Sequence, residues 1–367
     1  MKDKTRCEST EMRRVLFISY SFPPSTEVGA YTCAQIARYL PLYGWEPVVL
    51  TVKEKYVDVL YLRDNDSDRV SDSDLVIRTR KLPHPSDIYR RFKSSSLAGK
   101  LSRDGDRTPV STADGAENQS ARATRDLLLS LSDIPDKYTG WLVPAVASGL
   151  RAIKQKKARA IYSSAPYFTS HLAGYSLALL TGLPWVAHFR DPWITGVIAE
   201  LRHENMWFKI NRALERLTIS RADAVVCVTE EHAALMRAAY DQMAAPKFAV
   251  VMNGFDGLEW QEAEESLHSG APGGGYGADG PRKFRITYAG ALYMKRNPAP
   301  LFRALRTLID SGEMGRDEAS VELIGPCESI EGRDMADLIS EAGIEGGELR
   351  GRQNDRADRR IAQFFDK

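Results

Sequence analysis

Short runs rich in valine and isoleucine alternate along this chain with longer segments of helical periodicity. The runs include RVLFISY, EPVVLTV, ARAIYSS, PWVAHF, DAVVCVT and FAVVMN. Strands that are almost continuously apolar are typical of parallel sheets covered by helices on both faces. The alternation therefore predicts an α/β fold. In the first part of the chain, helices are expected at residues 28–43, 138–156, 168–181, 204–220 and 230–240.

The length of 367 residues exceeds what one ordinary hydrophobic core accommodates, so two domains are expected. The first, a Rossmann-like domain, is placed at residues 13–254, with an irregular polar insertion at 84–126. Residues 255–282, which contain HSGAPGGGYGADGPR, are interpreted as a linker. A partial second Rossmann-like domain is expected at 283–343, followed by an irregular tail at 344–367.

Composition and motifs argue against several classes of protein. The formal net charge of +1 gives no indication of a nucleic-acid partner. The N-terminal MKDKTRCESTEMRR lacks the apolar core of a secretory signal, and no run of eighteen apolar residues is present. The cysteines form no C-x-x-C pair, so we expect free thiols in a cytoplasmic protein. No metal-binding motif is found, and no metal is predicted.

Polar residues and a glycine follow the predicted strands, where parallel sheets bind their ligands. Gly29, at the start of the first helix, allows a phosphate to approach free N–H groups, although a simple tight turn is an equally good interpretation. In WVAHFRDPW, His188 and Arg190 lie at the carboxyl end of a strand. Asp191, followed by proline, is typical of a helix start. Ser164 ends another strand and either lines the cleft or forms a local turn.

A comparable strand–loop–helix pattern, ITYAGALYMKRNPAPLFRAL, occurs in the second domain. Its strand ends at Gly290, and Lys295 and Arg296 follow in the loop. Two cations at such a turn can neutralise a diphosphate. A pair of solvated charges is the alternative.

These segments together resemble the retaining GT-B glycosyltransferases of family 4. The matching segments, which include SYSFPPSTEVGAYTCAQIARYL, WVAHFRDPW, VVMNGFD and ITYAGALYMKRNP, occur in the order typical of that family. The resemblance implies two Rossmann-like domains facing a cleft. It also implies transfer, with retention, from a nucleotide diphosphate-sugar donor to a glycan or lipid-linked acceptor in polysaccharide biosynthesis. The nucleotide-sugar is a substrate, so no cofactor is expected.

The resemblance also implies roles for individual residues. Gly29 is expected to contact the donor phosphates, and His188 to contact the transferred sugar as the catalytic residue. Gly290, Lys295 and Arg296 are expected to bind the donor. The family's pair of glutamates, eight positions apart, is not found after Gly290, so we expect a truncated donor domain and impaired activity.

Two other functions stay open: a GT-B-like sugar-nucleotide epimerase, and a non-catalytic protein that binds an acceptor or partner. A further expectation concerns IYRRFKSSSLAGKL, from Ile88 to Leu101, which has four cations. Such a segment is able to contact an anionic membrane surface, which would place the protein peripherally at the inner membrane face. A solvated loop is the alternative.

Overall fold

The computed structural model divides the chain into two compact units, Met1–Trp260 and Gln261–Lys367. The residues that it describes are 12–25, 27–57, 75–84, 133–195, 205–243, 247–257, 260–261, 264–265, 284–292, 296–315, 318–325 and 327–343. Most of the predicted insertion, the tail after 343 and the expected membrane-contact segment lie outside the described residues.

The first unit alternates strands and helices along the chain. Its elements are β1 (Arg13–Ile18), α1 (Val28–Tyr39), β2 (Trp45–Val52), β3 (Val76–Thr79), α2 (Leu142–Lys156), β4 (Ala158–Ala165), α3 (Thr169–Thr181), β5 (Trp185–Phe189), α4 (Met206–Arg221), β6 (Ala224–Cys227), α5 (Glu230–Ala239) and β7 (Phe248–Val250).

The seven strands form a single sheet in the order β3-β2-β1-β4-β5-β6-β7. Every neighbouring pair is parallel. The α/β class predicted from the alternating runs is thus confirmed. β1 and β4 are neighbours at the centre of the sheet, and the strand order runs in opposite directions from this pair. The carboxyl ends of these two strands therefore form a topological switch point.

Both faces of the sheet are apolar and buried. On β1, Leu16 and Ile18 belong to the larger core cluster, which also contains residues of α2 and α3. Phe17, between them, belongs to a second cluster with Cys33 and Ala37 of α1. Because side chains alternate along a strand, helices lie on both faces. Burying each large apolar side chain contributes about 1.5–3 kcal/mol.

The first predicted helix is shorter than expected. α1 ends at Tyr39, and a 3₁₀ turn continues from Leu40 to Tyr43. Pro41 explains the change, because proline lacks the N–H that an α-helix would use and its ring clashes with the preceding turn. Gly44 then adopts a left-handed conformation with φ of 76°, which glycine accommodates without strain.

The second unit contains two small sheets among its described residues. β8 (Phe284–Ala289) and β9 (Ala319–Ile324) pair in parallel, with α6 (Ala299–Asp310) between them in the chain. β10 (Ser329–Ile330) and β11 (Arg333–Asp334) form an unpredicted hairpin, which precedes α7 (Met335–Glu341). Side chains from β9, α6 and α7, among them Phe302, Val321 and Leu338, form a separate buried cluster. None of the helices in the described parts of the chain is long and apolar enough to cross a membrane.

Candidate functional site

The candidate site lies at the carboxyl edge of the seven-stranded sheet, around the switch point between β1 and β4. Three connecting segments begin there, after β1, β4 and β5. The three strands are parallel, and β4 lies between β1 and β5. The residues that directly follow these strands therefore come close together. This edge contains Gly29, Ser164 and Arg190, which the sequence predicted separately.

Arg190 is almost completely buried, with 8% of its surface exposed. Its Nε donates to Ser164 Oγ at 3.0 Å, and its Nη2 donates to the carbonyl oxygen of Pro166 at 3.0 Å. Both acceptors are neutral, and none of the ion pairs between described residues includes Arg190. A buried charge without a counter-ion is costly. The guanidinium is therefore well suited to bind an anion.

Gly29 is in direct contact with this guanidinium. A Cβ atom added to Gly29 would lie 2.5 Å from Arg190 Nη1 and 2.7 Å from Nη2. Gly29 lies in the first turn of α1, at the positive end of the helix dipole, where the Ala30 N–H donates to the Glu27 carbonyl at 2.8 Å. The absence of a side chain thus brings a helix N-terminus and an arginine into contact.

Glu27, which the sequence did not predict as a site residue, connects the β1–α1 segment to the end of β4. It occupies the N-cap position of α1 but forms no capping bond with its side chain. One carboxylate oxygen accepts a short hydrogen bond from Ser21 Oγ. The other accepts from the Tyr167 hydroxyl at 3.0 Å. These two bonds fix the loop that precedes Gly29.

Three tyrosine rings pack next to Glu27. The centroids of Tyr138 and Tyr167 are 4.0 Å apart, and those of Tyr20 and Tyr138 are 4.2 Å apart. Burial raises the pKa of Tyr20 and of Tyr167 far above the usual value, so both hydroxyls stay protonated. Sequence reasoning missed this cluster because its members come from three distant segments.

The Asp136 carboxylate supports the tyrosine cluster from inside the protein. Its Oδ1 accepts from the Tyr138 backbone N–H at 2.9 Å and from Thr169 Oγ1 at 2.8 Å. Its Oδ2 accepts from the Thr169 backbone N–H at 2.9 Å. Burial raises the pKa of Asp136, although these hydrogen bonds act in the opposite direction. The carboxylate thereby anchors the segment before α2 to the start of α3.

His188 lies on β5 and is 2% exposed. Its Nδ1 shares a hydrogen bond with the Tyr162 hydroxyl at 2.6 Å, while its buried Nε2 has no hydrogen-bond partner among the described residues. Burial, with a smaller contribution from the positive charge of Arg190, lowers the pKa of His188 to about 4. The imidazole is therefore neutral near pH 7. Its expected catalytic role stays a prediction.

The segment after β5 differs from the expected helix start at Asp191. Residues 191–195 form bends and a turn, and α4 begins at Met206 with Asn205 as its N-cap. The buried carboxylate of Glu215 holds this turn by accepting from the backbone N–H groups of Ile194 and Thr195 and from Thr195 Oγ1. The prediction that Asp191 caps a helix is wrong, because the N–H groups of Ile194 and Thr195 donate to the Glu215 side chain instead. Asp191 itself is exposed.

The remaining predicted site residues belong to the second unit. Gly290 follows β8, has φ of 149°, and donates its N–H to the carbonyl of Ile324 at 2.8 Å. Arg296 is exposed before α6, and Lys295 lies outside the described residues. Among the described His, Cys, Asp and Glu residues, no group of three is arranged to hold a metal ion.

A family model for the glycosyl transferase 4-like domain matches residues 28–254. The chain belongs to this family. The glycosyl transferase 4-like domain includes Gly29, Ser164, His188 and Arg190, so the candidate site lies within it. The resemblance to family 4 glycosyltransferases is thereby confirmed at the level of the domain family. No curated protein matches the sequence.

Several solved structures are similar in fold. A sucrose-phosphate synthase from Thermosynechococcus elongatus is 14% identical with a TM-score of 0.49; the match covers 91% of this chain and 68% of the other. A UDP-N-acetylglucosamine 2-epimerase from Rickettsia bellii is 10% identical with a TM-score of 0.40, over 94% and 69% of the two chains. A glycosyltransferase from Rickettsia africae ESF-5 is 12% identical with a TM-score of 0.40, over the same shares. Similarity at this level of identity concerns the fold alone and not the substrate or the reaction.

Proposed function

We propose that this protein transfers a sugar from a nucleotide diphosphate-sugar donor to a glycan or lipid-linked acceptor, with retention of configuration. The observation that carries this proposal is the contact between Arg190 and Gly29. A buried guanidinium with neutral partners meets the first turn of α1 at the switch point of a glycosyl transferase 4-like domain. Both groups attract negative charge, and a donor diphosphate supplies it.

In this proposal Arg190 and the first turn of α1 stabilise the charge that develops on the leaving diphosphate. Such groups are effective because they are already oriented before the reaction begins. Ser164 and the Pro166 carbonyl hold the guanidinium in place, as their distances of 3.0 Å indicate. Glu27 keeps the approaching loop in its conformation through Ser21 and Tyr167.

His188 acts in this proposal as a neutral hydrogen-bonding group for the transferred sugar. Its Nδ1 is occupied by Tyr162, which leaves Nε2 for a substrate hydroxyl once a local rearrangement opens a path to it. For the second unit, the proposal keeps Gly290, Lys295 and Arg296 as donor-binding residues, because two cations are able to neutralise part of a diphosphate charge.

The proposal is tested by titrating UDP and GDP into the wild-type protein and into Arg190→Met, followed by transfer assays with nucleotide-sugars. Removing the buried cation should weaken binding of the preferred nucleotide by about tenfold or more. Arg159→Met is the matched control, since Arg159 is an exposed arginine on β4. It should bind as the wild type does.

Three results would contradict the proposal in different ways. Absence of any nucleotide binding would favour a non-catalytic protein that binds an acceptor or partner. Conversion of the donor sugar without an acceptor would favour the epimerase. Equal affinity in wild type and Arg190→Met would show that the anion binds elsewhere.

A further inference from the structure

Side chains of β4 and β5 form a diagonal ladder of hydrogen bonds on one face of the sheet. In the parallel register Ser164 lies opposite His188, yet its Oγ accepts from Arg190, two residues further along. Tyr162 lies opposite Val186, and its hydroxyl shares a hydrogen bond with His188 Nδ1, again two residues further along. Side chains two residues apart on a strand point to the same face and are about 7 Å apart. His188 therefore lies one step further into the sheet than the guanidinium of the proposed donor site.

The hydrogen bond between Tyr162 and His188 has two possible directions. If the Tyr162 hydroxyl donates to Nδ1, the proton of a neutral imidazole lies on Nε2, and only this N–H group lacks a partner among the described residues. If Nδ1–H donates to the tyrosine oxygen instead, both Nε2 and the hydroxyl proton lack a partner among those residues. Because buried polar groups without a partner are costly, the first direction is favoured.

Both side chains keep the protonation that this direction requires. Burial raises the pKa of Tyr162 far above its usual value, so the hydroxyl keeps the proton that it donates. Burial, with a smaller contribution from Arg190, lowers the pKa of His188 to about 4. A neutral imidazole has one N–H group and one lone pair, and the Tyr162 hydroxyl occupies the lone pair.

We propose that Tyr162 is a positioning residue that fixes His188 in the tautomer with its proton on Nε2. His188 then offers a hydrogen-bond donor to a ligand, and it is unsuited to accept a proton from the acceptor. This inference rests on the proposed transfer function and specifies what the same site recognises. The group that fits Nε2–H is a ligand oxygen with a free lone pair, such as that of a sugar hydroxyl.

Nitrogen NMR of isotope-labelled histidines tests the tautomer directly and requires no substrate. Long-range proton–nitrogen correlations near pH 7 distinguish a protonated Nε2 from a protonated Nδ1, and His188→Gln assigns the signals of His188. In the wild type, His188 should carry its proton on Nε2. A proton on Nδ1 would overturn the inference.

Tyr162→Phe removes the hydroxyl and should change His188 from a single tautomer to a mixture of two. Tyr43→Phe is the matched control, since Tyr43 is 77% exposed, and it should keep the wild-type tautomer. His171 reports on folding in both variants, because its Nδ1 shares a hydrogen bond with Ser163 Oγ, next to Tyr162 in the chain. If His188 keeps its wild-type tautomer in Tyr162→Phe while the His171 signals are unchanged, Tyr162 does not fix it.

Transfer assays with two amide variants test the donor role of Nε2–H. The amide of His188→Gln reaches about as far as Nε2, whereas the amide of His188→Asn reaches only as far as Nδ1. The kcat of His188→Gln should therefore be about tenfold or more above that of His188→Asn. Equal kcat values in the two variants would contradict the donor role. A wild type without transfer activity would contradict the proposed function, whereas the tautomer is decided by the NMR measurement alone.

Discussion

The guanidinium of Arg190 occupies the space that a side chain on Gly29 would need, with Nη1 2.5 Å from the position of its Cβ. A flexible arginine normally moves away from such a clash at little cost. Here the guanidinium is held by Ser164 Oγ and the Pro166 carbonyl, so moving it breaks hydrogen bonds in a buried site. The contact makes the candidate site sensitive to a single methyl group.

Gly29→Ala should therefore weaken nucleotide binding by about tenfold, because the displaced guanidinium no longer faces the first turn of α1. Gly254→Ala is the control, since a Cβ there meets no atom of a described residue within 4 Å. Calorimetric titration measures both affinities. If Gly29→Ala binds UDP or GDP as the wild type does, Arg190 and α1 do not form the anion site.

Buried neutral histidines should make the protein less stable in acid. Burial lowers the pKa of His188 from 6.5 to about 4 and that of His171 to about 3. The unfolded chain binds these protons near pH 6.5, whereas the folded protein does not. The stabilisation is thus complete above pH 6.5 and is lost as the pH falls toward 4, by up to about 1.4 kcal/mol per pH unit for each histidine.

Urea unfolding at about pH 7 and about pH 4.5 measures this loss. The double variant His171→Gln/His188→Gln should show a smaller decrease in unfolding free energy than the wild type between these conditions. All other titrating groups are common to both proteins, so the difference isolates the two histidines. Identical decreases would show that the imidazoles are already accessible to protons in the folded state.

Replacing Glu215 should lower the unfolding free energy of the first unit strongly. Its buried carboxylate accepts from Ile194, Thr195 and the Tyr240 hydroxyl, which lies at 2.9 Å. Glu215→Ala leaves these donors without a partner and should cost about 3 kcal/mol of unfolding free energy. Glu230→Ala, which removes an exposed pair with Arg237, should cost less than about 1 kcal/mol. Equal costs in chemical denaturation would contradict this difference.

Asp256 should stabilise the first unit by joining two segments that are far apart in the sequence. Its buried carboxylate accepts from Arg38 Nη1 at 2.8 Å and from the Tyr39 hydroxyl at 2.9 Å, both at the end of α1. Asp256→Ala should lower the unfolding free energy by about 1–2 kcal/mol, because the Arg38 and Tyr39 side chains lose a buried acceptor. Asp310→Ala, which removes an exposed pair with Arg306, should change it by less than about 0.5 kcal/mol. Similar melting temperatures for the two variants would show that the Asp256 bonds contribute little.

The strands and most helices could be predicted because their pattern is local. Runs such as VLFI and AVVC are apolar over four consecutive residues, and this continuity indicates strands buried on both faces. Gly29 and Arg190 could be selected individually because each follows a predicted strand. Their contact could not be predicted, since it depends on the pairing of β1 with β4 and of β4 with β5.

Glu27 shows why part of the site was missed. Its hydrogen-bond partner Tyr167 is 140 residues away in the sequence, and a glutamate before a helix looks like an ordinary first-turn charge. The helix start expected at Asp191 was wrong for a related reason. A local capping pattern was present, but the buried carboxylate of Glu215, 20 residues from Thr195, binds the N–H groups instead.

The strand order of the first unit has a consequence for synthesis at the ribosome. Gly29 follows the first strand, yet its guanidinium partner follows the fifth, and β4 must pair with β1 before the two can meet. A nascent chain that has emerged only as far as α2 therefore lacks the Arg190 half of the candidate site. Under the proposed function, nucleotide would stabilise only chains in which β5 has already been translated and docked.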